Sequence, residues 1–112
     1  WYIRPSGEYF DKPLVLLTDR YTISAGERLT MAFKVLPNLT HIGDTTNGAF
    51  STKIGKELAN GWFYSVAPQK TEFIDRKSYE GPGLPPDIYV KNTAEEMALG
   101  QDKTLEAAID QF

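Results

Sequence analysis

Four consecutive apolar residues, Leu14-Val15-Leu16-Leu17, stop abruptly at Thr18-Asp19-Arg20. A run that short is far from a membrane span and suits a buried strand. The spacing then turns helical: Ala25, Leu29, Ala32, Phe33 and Leu36 recur on one face, and Pro37-Asn38 supplies a stop. Met31 and Val35 add apolar character on a second side, which predicts a well-buried helix over residues 25–36. A second strand is expected at Leu39 to Ile42, and a strand–helix–strand connection of this length predicts a right-handed parallel crossover. Further on, residues 51–58 and 62–66 flank Asn60-Gly61, a strong hairpin signal, with residues 71–74 as an expected third strand. Residues 79–87 are too rich in Pro and Gly for regular structure and predict a pinned, extended loop before a last strand at residues 88–90. The tail reads as helical. Thr93-x-x-Glu96 is a capping box, Gly100 a stop and Asp102 a new cap, ahead of a stripe of Leu105, Ala108, Ile109 and Phe112. Residues 1–12, with Pro5 and Gly7, read as an entering loop.

Composition narrows the function more than the fold. At 112 residues the chain is one domain at most, and 41% hydrophobic with 24% charged residues is an ordinary globular balance. Net charge is −3 with the two signs interleaved, so no basic face marks a nucleic-acid partner. There is no cysteine, which excludes disulfides and thiolate metal sites. No membrane-length apolar run and no signal peptide is read in the sequence. The start on Trp1-Tyr2-Ile3, without methionine, gives the expectation of a piece of something longer.

Ser24 is the candidate for chemistry. It lies between the first strand and the helix, where the first backbone N–H groups of the helix have no partner and can stabilise a developing oxyanion. Ser24-x-x-Glu27 is equally the form of a capping box, with Ser24 only a cap and Glu27 its reciprocal partner. Both readings stand on local pattern. His41, the single histidine, has no second ligand near it in sequence; inside a predicted strand it reads as packing or surface rather than as a base. No metal site and no cofactor is expected. Gly43-Asp44-Thr45-Thr46-Asn47-Gly48 superficially resembles a phosphate loop but lacks the Gly-Lys-Ser/Thr ending. Glu80 sits at the rim of the proline-pinned loop, where a carboxylate can be held in one orientation. Asp19 and Asp44 read as turn residues, and Trp62, Phe63 and Tyr64 as hairpin packing.

Leu16-Leu17-Thr18-Asp19-Arg20, Ser24-Ala25-x-Glu27, Gly43-x-x-Thr46-x-Gly48, Glu80-Gly81-x-Gly83-x-x-Pro86-Asp87 and the tail Asp102-x-x-Leu105-x-x-Ala108 occur in an order and spacing that matter together. In that order they resemble the carboxy-terminal processing (tail-specific) serine protease family, which includes the tricorn protease core and the interphotoreceptor retinoid-binding modules. The resemblance implies an α/β core of the crotonase/ClpP-like spiral type, built from the crossover, the hairpin and a C-terminal helix. It implies that Ser24 attacks a peptide carbonyl and that the Ala25 N–H contributes to the oxyanion hole. Processing peptidases place a base lysine after the glycine-threonine-glycine loop. Here Ala49 holds that position, and Lys53 is the nearest lysine. The chain is therefore more similar to the tricorn branch, in which a histidine from an earlier segment is the base and a late glutamate, here Glu80, orients a polar relay. The base, the second oxyanion donor and any PDZ domain precede the matching segment. Residues 1–112 are accordingly expected to be the C-terminal part of a catalytic domain, inactive alone.

Three functions follow as expectations. The first is a serine endopeptidase part acting on polypeptide, with the remainder of the catalytic domain as partner, a homo-oligomer as a further possibility, and the periplasm or cell envelope as location. The second is an inactive module of the same fold that binds a peptide or apolar ligand. The third is an interaction role in which the Trp62 hairpin lends an edge strand to a partner.

Overall fold

The computed structural model describes residues 7, 8 and 10–112. Among the described residues five strands and three helices follow in order: β1 (Leu14–Thr18), α1 (Ala25–Phe33), β2 (Leu39–Gly43), β3 (Ile54–Glu57), β4 (Phe63–Val66), β5 (Ile88–Tyr89), α2 (Ala94–Ala98) and α3 (Lys103–Ile109). The molecule is an α/β fold with the sheet order β1-β2-β5, all parallel, beside a separate antiparallel β3-β4 hairpin. The expected crossover is present: Leu14 pairs with Leu39 and Thr18 with Gly43, with α1 between the strands. Asn60-Gly61 turns the hairpin, with Gly61 at φ 82°. The Thr93–Glu96 capping box and the Asp102 cap, whose side chain accepts the Leu105 N–H, both form. The entering loop expected over residues 1–12 lies partly outside the described residues.

Three expectations are corrected. Residues 71–74 form no strand, because the chain folds back on itself there, with Phe73 N–H donating to Lys77 O. Helix α1 stops at Phe33, and its buried residues are Glu27 and Thr30, while Leu29 and Val35 are exposed. Its inner face is thus the polar one, drawn in by hydrogen bonds that the apolar periodicity does not register. Trp62 and Phe63 do not pack inside a hairpin: they are 74% and 73% exposed, although the Phe63 ring lies against Gly55.

The buried centre consists of Ile42, Phe50, Leu84 and Ala108 together with Thr18, Glu27, Thr30, His41 and Thr46. So many polar groups can be buried because each finds a partner. Thr18 Oγ1 donates to Asp44 O at 2.9 Å, which leaves its lone pair to accept His41 Nε2–H at 2.7 Å. His41 Nδ1 then accepts from Lys34 Nζ at 3.2 Å, and Lys34 also pairs with Asp87 at 2.9 Å. Burial first, and the Lys34 charge second, lower the His41 pKa to about 4, so the ring is neutral. The unfolded chain binds this proton near pH 6.5 and the folded chain only near pH 4. The stability that depends on neutral His41 is therefore complete above pH 6.5 and lost as the pH falls toward 4. Melting temperatures between pH 7 and pH 4.5 are expected to fall more steeply for the parent than for His41→Gln; equal slopes would contradict this.

Candidate active site

The connection from β1 to α1 is a set of interlocked turns. Asp19 Oδ1 accepts the N–H groups of Tyr21 at 2.8 Å and Thr22 at 3.0 Å, a local turn that Asp forms readily. Asn47 braces the same connection from the loop after β2, its N–H donating to Thr22 O at 2.9 Å and its side chain to Arg20 O at 3.1 Å. Between these braces Ser24 adopts φ 55° and ψ −108°, a conformation unfavourable for any residue with a Cβ. Strained serines at a strand-to-helix turn are the geometry that presents a hydroxyl outward. Ser24 is exposed, and its Oγ has no hydrogen bond among the described residues.

The capping box is half of what its sequence form promises. Ser24 Oγ and the Glu27 N–H face one another in box fashion without closing a side-chain cap hydrogen bond, whereas Ser24 N–H does donate to Glu27 Oε2 at 3.0 Å. The next amides divide the remaining roles. Gly26 N–H turns back to Ile23 O at 3.0 Å, and Ala25 N–H has no partner among the described residues. Ala25 N–H is therefore the donor directly beside Ser24 that is left without a partner among the described residues.

Glu27 does far more than cap. Its carboxylate is fully buried and accepts Thr46 Oγ1–H at 2.7 Å and Gly48 N–H at 2.6 Å on Oε1, and Ser24 N–H and Ala49 N–H (2.9 Å) on Oε2. The amide after those two, Phe50 N–H, donates to Glu80 Oε2 at 3.2 Å. Three successive amides, 48 to 50, thus join the carboxylate beside Ser24 to the carboxylate of the proline-rich loop. Thr46 strengthens the same link. Its hydroxyl accepts Leu84 N–H at 2.8 Å while donating to Glu27, and its backbone N–H donates to Leu84 O at 3.1 Å.

The glycines at this junction permit the contact. A Cβ on Gly48 would run into Gly81 O, and one on Gly83 into Thr46 O, and both residues have positive φ. Gly83→Ala is expected to cost about 3 kcal/mol or more, since either a loop or a backbone hydrogen bond must give. A denaturation midpoint unchanged by Gly83→Ala would show that the loops are not in contact.

The sequence candidates fall as follows. Ser24 and Glu80 are drawn to one network, although no hydrogen bond joins them directly, while Ala25 follows Ser24 with its N–H unpartnered among the described residues. His41 is excluded from it, since Thr18 and Lys34 occupy its ring nitrogens. Ala49 N–H shares Glu27 Oε2 with the Ser24 N–H, and Lys53 is exposed on the way to the hairpin. The sequence gives Glu27 its capping-box role, which the Ser24 N–H bond fills, but not its contacts with Thr46, Gly48 and Ala49. The usable signal was an acid at the third helical position paired with an amide-rich Gly-x-x-Thr-x-Gly loop. Among the described residues no group of His, Cys, Asp and Glu side chains is arranged to hold a metal.

The family model of peptidase family S41 matches residues 3–90. The chain belongs to peptidase family S41. A protein from Parabacteroides merdae ATCC 43184, described as a candidate peptidase, superimposes with a TM-score of 0.87 at 30% identity, over 99% of this chain and 35% of its own. The tricorn protease matches with a TM-score of 0.74 at 24% identity, over 88% of this chain and 10% of its own, a likeness of fold. The photosystem II D1 C-terminal processing protease matches with a TM-score of 0.60 at 26% identity, over 72% of this chain and 21% of its own. This S41 chain therefore spans about a third or less of the length of these solved proteins. No protein of curated function matches the sequence.

Proposed function

We propose that the chain is the nucleophile-bearing part of a serine peptidase, in which Ser24 Oγ attacks the scissile carbonyl of a polypeptide. The observation that carries this reading is the strained, outward Ser24 followed by an unpartnered Ala25 N–H. The backbone accepts strain at a residue that a simple cap would not need to strain, and an unpartnered N–H beside a nucleophile suits the stabilisation of an oxyanion. Attack makes the Oγ–C bond and turns the carbonyl oxygen into an oxyanion held by Ala25 N–H. The Oγ proton passes to a base in another segment of the protein, and collapse of the tetrahedral species expels the amine, which takes that proton. Water then releases the acyl group by the same route. Glu80, fixed through Phe50 N–H, orients the polar groups between itself and the serine. Membership of the S41 family supports peptide-bond hydrolysis as the chemistry.

The remainder of the catalytic domain is the expected partner. Leu29, Ile54, Trp62, Phe63 and Val66 are exposed and form apolar surface that a partner would cover. Residues 1–112 alone are therefore expected to be inactive, lacking the base, and a location in the cell envelope completes the proposal. Among the described residues no helix is long and apolar enough to cross a membrane.

Single-turnover cleavage of an unstructured peptide by the full-length protein tests the reading. Ser24→Ala should remove nearly all cleavage, and Glu80→Gln should lower kcat more than it raises KM, as befits a group acting mainly on the reacting state. Parental cleavage by Ser24→Ala would make Ser24 a turn residue and favour the inactive binding module.

A further inference from the structure

A cleft of about 600 Å³ opens at the carboxyl ends of β1, β2 and β5, between the Asp19–Tyr21 turn and the segment leading into α2. Its size is that of a ligand site, and crevices outside the carboxyl ends of parallel strands are where open α/β sheets bind ligands. Tyr21, Val90 and Met97 give it apolar walls. The charges along it are unequal in their freedom. Lys91 is paired with Asp44 at 3.4 Å, and Asp19 spends its Oδ1 on the N–H groups of its own turn. Arg20 has no carboxylate partner among the described residues. Its guanidinium lies 4.8 Å from the centroid of the Tyr21 ring and gives one N–H to Tyr21 Oη at 2.6 Å, so it is held in place with most of its donors unused.

We propose that this cleft is a carboxylate-recognition subsite for the polypeptide, with Arg20 as its anion partner and Tyr21, Val90 and Met97 receiving the apolar body beside that carboxylate. The proposal rests on the peptidase reading above. An oriented guanidinium with an open fork suits a planar carboxylate. The subsite is coupled to the reaction by chain geometry. Arg20 and Ser24 share one connection, and Asn47 clamps the Arg20 and Thr22 carbonyls to the loop whose amides hold Glu27. A carboxylate bound at Arg20 therefore fixes the peptide relative to Ser24 rather than to a mobile surface. The carboxylate comes either from an acidic side chain or from the peptide's own C-terminus; the chemistry at Arg20 is the same.

The test is binding, read by fluorescence anisotropy, of labelled peptides to full-length protein carrying Ser24→Ala. One peptide has a free C-terminus and one glutamate; its variants are amidated, or carry Gln for Glu. Neutralising one of the two carboxylates should weaken binding roughly tenfold, the share of one charge-assisted hydrogen-bonded pair, and which neutralisation does so identifies the source. In Arg20→Gln that difference should vanish while the neutral peptide binds as before. Met97→Glu, which sets a like charge in the same cleft, should weaken the acidic peptide selectively. Affinity insensitive to both neutralisations, a preference that survives Arg20→Gln, or no selective effect of Met97→Glu would overturn the proposal. Because no cleavage occurs in this background, a failed peptidase reading shows separately, as loss of turnover in Ser24-containing protein.

Discussion

Ser24→Gly in the full-length protein is expected to abolish cleavage while raising stability by about 1 kcal/mol. The two effects have opposite sign because they come from different atoms. Cleavage needs Oγ. Stability is reduced by the Cβ, which the backbone at φ 55° and ψ −108° accommodates poorly and which glycine lacks. Ser24→Ala separates the two: it removes Oγ but keeps Cβ, so cleavage is lost with stability nearly unchanged. An ordinary N-cap serine would lose about 1 kcal/mol on replacement by alanine. That loss is not expected here, since Ser24 Oγ closes no side-chain cap hydrogen bond. Urea denaturation of the three proteins beside single-turnover cleavage gives the comparison. A Ser24→Gly protein less stable than the parent would mean that the backbone at this turn is unstrained.

Glu27→Ala is expected to have the largest effect on stability of any single substitution at the site, on the order of 4 kcal/mol or more. It strands the Ser24, Gly48 and Ala49 amides and the Thr46 hydroxyl together, and each buried unpaired group costs about 1–3 kcal/mol. Glu27→Gln keeps the volume but turns a donor amide toward a shell made of donors, so it should recover only part of that loss. Cleavage should fall with it, because Ser24 and the loop carrying Phe50 N–H to Glu80 are both held through this carboxylate. Denaturation midpoints and kcat measured on Glu27→Gln and Glu27→Ala check this. A cost near 1 kcal/mol for Glu27→Ala would return Glu27 to the role of an ordinary capping-box partner.

The sequence made the order of elements legible because strands β1 and β2, the Asn60-Gly61 turn and the caps at Thr93 and Asp102 are each specified within a few residues. It misled over α1 because apolar spacing records what can be buried, not what is. Glu27 and Thr30 take the inner face by hydrogen bonding, and Leu29 is left outside. It misled over residues 71–74 because β-branched and aromatic residues without a neighbouring edge to pair with do not make a strand. For the site, Ser24 was legible as a residue at a helix mouth, but its backbone strain was not. Strain is set by the Asp19 turn and by Asn47, which arrives from 23 residues further along the chain (47 − 24). Glu27 was read from its local partner alone. Its other acceptor contacts come from the loop after β2, a pairing that no local spacing encodes.

If Ser24 Oγ is the nucleophile, it forms a covalent bond with reagents that trap activated serines. The most direct measurement treats the full-length protein with a fluorophosphonate, which phosphonylates activated serines, and locates the adduct by peptide mass spectrometry. A single adduct is expected on the peptide containing Ser24, absent from Ser24→Ala and slowed in Glu27→Gln. Labelling of a different residue, with Ser24 unmodified in protein that still cleaves peptide, would contradict it.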